Sequence, residues 1–342
     1  MVVLAPILSL VLAGVGGATE SKTAPAGGAE LKPESGIEVP APEKTPAPGG
    51  LELNGFDLRA AVVPPGEIIA GGPPRDGIRS VDTPQFVSPG EAIWAPPPVP
   101  VIGVALEGEA RAYPVHLLEY HQVVNDRFGA VALVVTFDPL TGVPKAYRSS
   151  AGGRELHFGV SGLIHKASFL LYDRETQSLW SQYLGKAVSG PLAGKVLEAV
   201  QTRQEPMGVW FRRHLQTTVL ARPERERIDY RYSPYSDYWV STEVPFPVEA
   251  VDDRYHPKEV VLGVGVGDAH RAYLGSILTA EGGRIVDDFA GRRIRVDYDS
   301  DTSTFVWEAP ADVTVTDAYW FAWKSFHPDT GLWRGRDPSS PK

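Results

Sequence analysis

The sequence predicts a mainly β (β-rich α+β) protein of two internally duplicated β lobes with a few short helices. Three observations predict it. Short runs of β-branched and aromatic residues are broken repeatedly by Gly, Asp and Asn turn signals. A set of motifs recurs in the same order in both halves. The long crossover helices that a doubly wound parallel sheet needs are missing.

The elements follow in chain order. Residues 1–18 are apolar, carry no charged side chain before Glu20, and fade into Gly16, Gly17 and Ala18. They predict a signal peptide or N-terminal anchor, with an apolar run shorter than the ~20 residues that span a bilayer. The protein is accordingly expected to be exported: periplasmic, extracellular or membrane-tethered through its N-terminus. Residues 19–50 hold six prolines and no aromatic residue, the composition of a disordered Pro/Ala/Gly linker. A first β-rich lobe is expected over 51–250, a shorter second lobe packed on it over 251–335, and a tail over 336–342.

Within the first lobe "VIGVALEGEARAYPV" reads as a hairpin turning at Glu107-Gly108. "ALVVTF", "ELHFGV" and "SFLLYDRETQSLWSQ" add strands, the last with a turn at Arg174 to Gln177, and "RIRVDYD" adds one to the second lobe. "VHLLEYHQVV", "GVWFRRHL" and "YWFAWKSF" are the helix candidates.

The repeat rests on three matches. Val101–Tyr113 matches Val261–Tyr273 at an offset of 160, and Val123–Asp126 matches Ile285–Asp288 at 162. Trp210, His214 and Thr217 share W-x3-H-x2-T spacing with Trp323, His327 and Thr330. The second copy is shorter by about fifty residues, as expected of a duplicated unit that gained or lost one insertion.

Composition narrows the chemistry. The 342-residue chain carries 33 basic and 42 acidic residues for a net charge of −9. No basic run interleaved with aromatics marks a nucleic-acid footprint, so none is expected as a partner. No sequence feature identifies a small-molecule or protein partner. The chain has no cysteine, which excludes disulfides, thiolate metal sites, Cys nucleophiles and CxxC redox pairs.

Several local patterns are weaker than they look. The glycines of "VLGVGVGD" lie in a hairpin and lack the following helix of a dinucleotide site. "GVSGL" has Leu163 where a nucleophile elbow needs its last glycine, so a strand-end turn is expected. Asp297, Asp299, Asp301 and Glu308 fall at positions 1, 3, 5 and 12 of a calcium loop. Thr302 replaces the glycine of its sharp turn and strands flank it, so a solvated acidic turn is expected. His116, His121, His157 and His165 lie near Asp126 and Asp138 in sequence without tight ligand spacing. A divalent metal is the cofactor that His and carboxylate ligands would suit.

"IIAGGPPRDGI", "VIGVALEGEARAYP", "HQVVNDRFG", "LHFGVSGL", "LYDRETQSLWSQ" and "AVSGPLAG" occur in that order between Ile68 and Trp333. On these motifs the chain resembles the bacterial domain-of-unknown-function family numbered three-one-seven-nine. The resemblance implies an exported or anchored bacterial protein of unestablished activity. It also implies Cys-Pro-Leu-Cys-Gly where this chain has Asp138-Pro139-Leu140-Thr141-Gly142, and Tyr-Asn-Ser-Asn at His165 to Ser168. The family's histidine and serine are kept as His121 and Ser161. Two readings follow. The protein is a non-catalytic or ligand-binding member that has lost the thiol chemistry, the favoured reading. Alternatively it is a divalent-metal-dependent enzyme with a rebuilt site, in which His121, Asp138 and Ser161 act in catalysis. His121, Asp138, His157 and His165 would then bind the metal.

Overall fold

The computed structural model describes residues 51–223, 228–248 and 252–335. The predicted leader, linker and tail lie outside them. Among the described residues the chain is mainly β, with five small sheets arranged like a propeller, two further two-stranded pairs and a few short helices.

The duplication is visible strand by strand. In the first copy, strands Pro100–Leu106 and Glu109–Pro114 pair antiparallel across the Glu107-Gly108 turn, where both residues take positive φ, 51° and 81°. That geometry matches the right-handed twist of the flanking strands. Helix α1 (Val115–His121) follows, then strands Val123–Phe128 and Val131–Asp138. The second copy repeats this with Val260–Val266, Ala269–Leu274, a short helix, and strands Arg284–Phe289 and Arg292–Asp299.

Each copy then closes its first hairpin in the same way. In the first, Thr202–Pro206 pairs beside Pro100–Leu106, helix α2 (Met207–Arg213) crosses, and Thr218–Leu220 returns parallel to Glu109–Pro114. Between these and the second-copy helices lies α3 (Ser236–Val240). In the second copy α4 (Gly275–Ala280) follows the hairpin; Thr314–Tyr319, α5 (Trp320–Phe326) and Gly331–Leu332 complete the same order.

This explains the W-x3-H-x2-T spacing. Trp210 Nε1 and Trp323 Nε1 each donate to the threonine seven residues on, Thr217 and Thr330, at 2.9 Å in both copies. The histidine rings lie 4.1 Å from their tryptophans in both. A Cβ on Gly103 would come within 2.3 Å of Trp210, and one on Gly263 within 2.1 Å of Trp323. The motif is thus a lock between crossing helix and hairpin, and the glycine is what lets the indole lie flat on the strand.

One register needs correcting. Asp126 binds Arg111 and Tyr113, whereas Arg271 and Tyr273 bind Asp287 rather than Asp288. The offset here is therefore 161, as it is between Phe128 and Phe289 at the two strand ends. Two adjacent aspartates made the sequence match ambiguous by one residue, and on a strand one residue selects the opposite face.

The length difference has a location. The first copy carries a further five-stranded sheet, built from Phe158–His165, Ser168–Asp173, Leu179–Ser181, Ala187–Ser189 and Ile68–Ala70, with no counterpart in the second. The copies meet through Tyr319 N to Thr141 O at 2.7 Å, Lys145 Nζ to Thr316 Oγ1 at 2.8 Å, and Tyr183 stacked 3.8 Å from Phe326.

Candidate functional site

The turn 138–142 closes strands Val131–Asp138 and Val143–Arg148. Thr141 N and Gly142 N donate to Asp138 O at 3.2 and 2.8 Å, and Gly142 takes φ +69° against the ring of Tyr319. Asp138 is fully buried. Its carboxylate accepts from Leu140 N at 3.0 Å, Ser168 Oγ at 3.0 Å and Phe169 N at 3.2 Å. Burial pushes the carboxyl pKa up, and the bonds from Thr141, Phe169, Ser168 and Leu140 pull against it. The side chain ties the turn to the sheet that only the first copy has.

The other predicted site residues are held elsewhere. His121 ends α1; its Nδ1 lies 3.0 Å from Arg79 O and its Nε2 2.7 Å from Tyr230 Oη. His157 is exposed and pairs through Nδ1 with Glu175 at 2.8 Å. His165 is buried with Nε2 3.3 Å from Glu67. Ser161 donates to Leu170 O at 2.5 Å and accepts from Leu163 N at 3.0 Å. It stands inside strand Phe158–His165, where pairing slips between Val160 and Ile164, so this is a bulge within a strand rather than the expected strand-end turn. A Cβ on Gly162, at φ +75°, would meet Pro73 O at 2.1 Å. Among the described residues, no three His, Asp or Glu side chains gather as metal ligands.

The acidic segment of the second copy is a hairpin between Arg292–Asp299 and Thr304–Glu308. Asp299 accepts from the backbone of Asp301 and Thr302 at 2.9 and 3.3 Å, the Asx-type turn bonding that such residues favour.

Beneath the turn lies a hollow of about 40 Å³ bordered by Asp138, Leu140, Gln122 and Tyr235. That is room for a few waters, since each needs roughly 10–15 Å³. On the other side, Phe137 and Gly142 border a cleft of about 740 Å³ between the copies, within the size range of small-molecule sites. Segment 230–240 contributes Tyr235 to the hollow and Tyr230, Arg231 and Trp239 to the cleft. Gln122 donates to Tyr235 Oη at 3.0 Å, and Tyr238 Oη donates to Leu140 O at 2.7 Å.

Helix α1 supplies two polar cleft residues three positions apart, His116 and Glu119, which this spacing sets on one face. Burial raises the Glu119 pKa from 4.5 to about 7, and Ser233 partly opposes it. Burial, and then the Arg222 charge, lower the His116 pKa from 6.5 to about 4, so its imidazole is neutral near pH 7. Lys258 gives Nζ to the carbonyls of Ser241 and Glu243 at 2.5 and 2.6 Å, and burial lowers its pKa to about 8. Sequence reasoning passed over Glu119, Arg222 and Lys258. Only the heptapeptide "VHLLEYH", with its polar pair three apart, carried a signal for the first.

Compared with known proteins, residues 75–314 match the model of a family described as "Protein of unknown function (DUF3179)". No curated protein and no solved structure matches the chain.

Proposed function

The chain belongs to the DUF3179 family, and from that premise we propose that it is an exported, non-catalytic, ligand-binding member whose ligand sits in the large cleft. The observation that carries the reading is the cleft itself: about 740 Å³, walled by Trp94, Phe137, Tyr230, Trp239 and Tyr319 around a few convergent polar groups. The turn supports it from the other side. Asp138 and Thr141 stand where the family resemblance puts two thiols, and both are spent on closing the turn. A metal-dependent reaction there would need His121 to share a ligand sphere with Asp138, yet each is held by different partners. Export draws its support from the uncharged apolar leader and the proline-rich linker behind it.

Thermal-shift screening of organic acids, sugars and nucleosides tests the binding role. A ligand that raises Tm should lose most of its effect in Trp239→Ala and keep it in Asp138→Asn, measured against each variant's own Tm. Turnover that vanishes in Asp138→Asn, or a screen in which no compound raises Tm, would overturn the proposal. Fractionation of bacteria expressing the tagged full chain tests export, and recovery in the cytosol alone refutes it.

A further inference from the structure

The charges around the cleft do not balance. Among the described residues Arg222, Arg231 and Lys258 border it, against Glu119 as the one acid. Arg231 is engaged by Asp229 through two bonds of 2.8 and 2.6 Å. Arg222 makes no ion pair among the described residues; its guanidinium lies 5.3 Å from the centre of the Trp94 ring. Among the described residues Lys258 makes no ion pair either: its Nζ meets two backbone carbonyls and the face of Tyr238 at 3.9 Å, with the Glu243 charge acting on it from further off. In a chain of net charge −9, the charged side chains described around this recess are mostly cations. Low-dielectric walls concentrate such a field on an anion.

The rest of the lining restricts the anion's shape. Aromatic rings wall the cleft, and they favour flat apolar groups that offset-stack or meet edge to face. The neutral His116 ring beside Arg222 and a Glu119 carboxyl whose pKa burial raises to about 7 add hydrogen-bonding groups without adding a full negative charge near neutral pH. We propose that the cleft binds a small organic carboxylate carried on a flat ring, its carboxylate paired with Arg222 and its ring against the aromatic wall. Arg is suited to this because its planar fork matches a carboxylate at two points. The proposal rests on the reading that the cleft is the ligand site, and its test separates the two.

Titration calorimetry on the full chain compares benzoate and 2-naphthoate with benzamide and 2-naphthamide, which keep shape and lose charge; phenyl phosphate is the third arm. Each acid should bind at least about tenfold more tightly than its amide, a typical margin for a charge-assisted pair over a neutral bond. Arg222→Gln should abolish that preference and Arg222→Lys restore part of it. Among the described residues Arg222 has no bonded partner to lose, and matching unfolding midpoints will verify that the variants fold. If no acid binds more tightly than its amide, or if phenyl phosphate binds more tightly than both acids, the carboxylate assignment is wrong. Equal binding of acids and amides that Trp239→Ala removes would overturn the assignment and leave the cleft as the ligand site.

Discussion

Glu119→Gln should stabilise the protein at neutral pH by an amount that disappears in acid. The carboxyl is 5% exposed, and burial lifts its pKa from 4.5 to about 7. Between those values the folded chain binds more protons than the unfolded one. Stability from this group is therefore full below pH 4.5, falls as pH rises towards about 7, and is level above that. At about 1.4 kcal/mol for each tenfold change in proton affinity, the whole difference is about 3 kcal/mol. Water drawn into the cleft on ionisation recovers part of it, leaving about 2 kcal/mol. Gln keeps the shape and cannot ionise. Urea unfolding of both proteins at steps from about pH 4 to about pH 8 gives the difference directly, and effects of His116 cancel between them. The two curves should coincide in acid and separate to about 2 kcal/mol at the upper end. A constant offset across the series would show that Glu119 is not held in a raised-pKa environment, and the account of the cleft would fail with it.

Three further predictions follow from the packing. Asp138→Ala leaves the N–H groups of Leu140 and Phe169 without their acceptor and the Ser168 hydroxyl with Gln182 alone and should cost about 3 kcal/mol in urea unfolding, with Asp138→Asn costing less; equal, negligible losses would remove the structural role assigned to this turn. Gly103→Ala and Gly263→Ala should each destabilise by about 1–3 kcal/mol, because the new methyl meets Trp210 or Trp323 well inside contact distance; a loss at one site only would break the equivalence of the two locks. Ser161→Ala should cost about 1–2 kcal/mol through the bulge it bridges, while the intact protein should resist labelling by a fluorophosphonate; rapid labelling of Ser161 would make it a nucleophile instead.

Much of the site's scaffold was readable in the sequence, and its chemistry was not. The turns at Glu107-Gly108 and Arg174 to Gln177 depend on residues adjacent in the chain; Asp173 Oδ1 caps the second by accepting from Thr176 N at 2.6 Å. Helix α1 came out shorter than "VHLLEYHQVV", because Gln122 takes φ +59° and sends the chain into a strand. Helices α3 and α4 were missed, being five and six residues long, too short for an amphipathic period to register. His121 and Asp138 drew attention as chemically versatile residues, but versatility in sequence does not say who the partner is. Tyr230 stands 109 positions from His121, and Ser168 stands 30 from Asp138.

The sequence by itself determined the β class, the duplication, the hairpin turns and the recurring Trp–His–Thr spacing, since each follows from short-range spacing or from repetition of it; that this spacing is a lock came from the structure. Only the tertiary structure decided which copy of each aspartate forms the equivalent ion pair. It also decided that Asp138 is buried and accepts from Leu140, Ser168 and Phe169, and that Glu119, Arg222 and Lys258 border one cleft. Segment 230–240 and the second copy complete that cleft beside α1 and the turn 138–142. Partner identity in these places is set between residues 15 to 113 positions apart, and no local pattern in the chain encodes it.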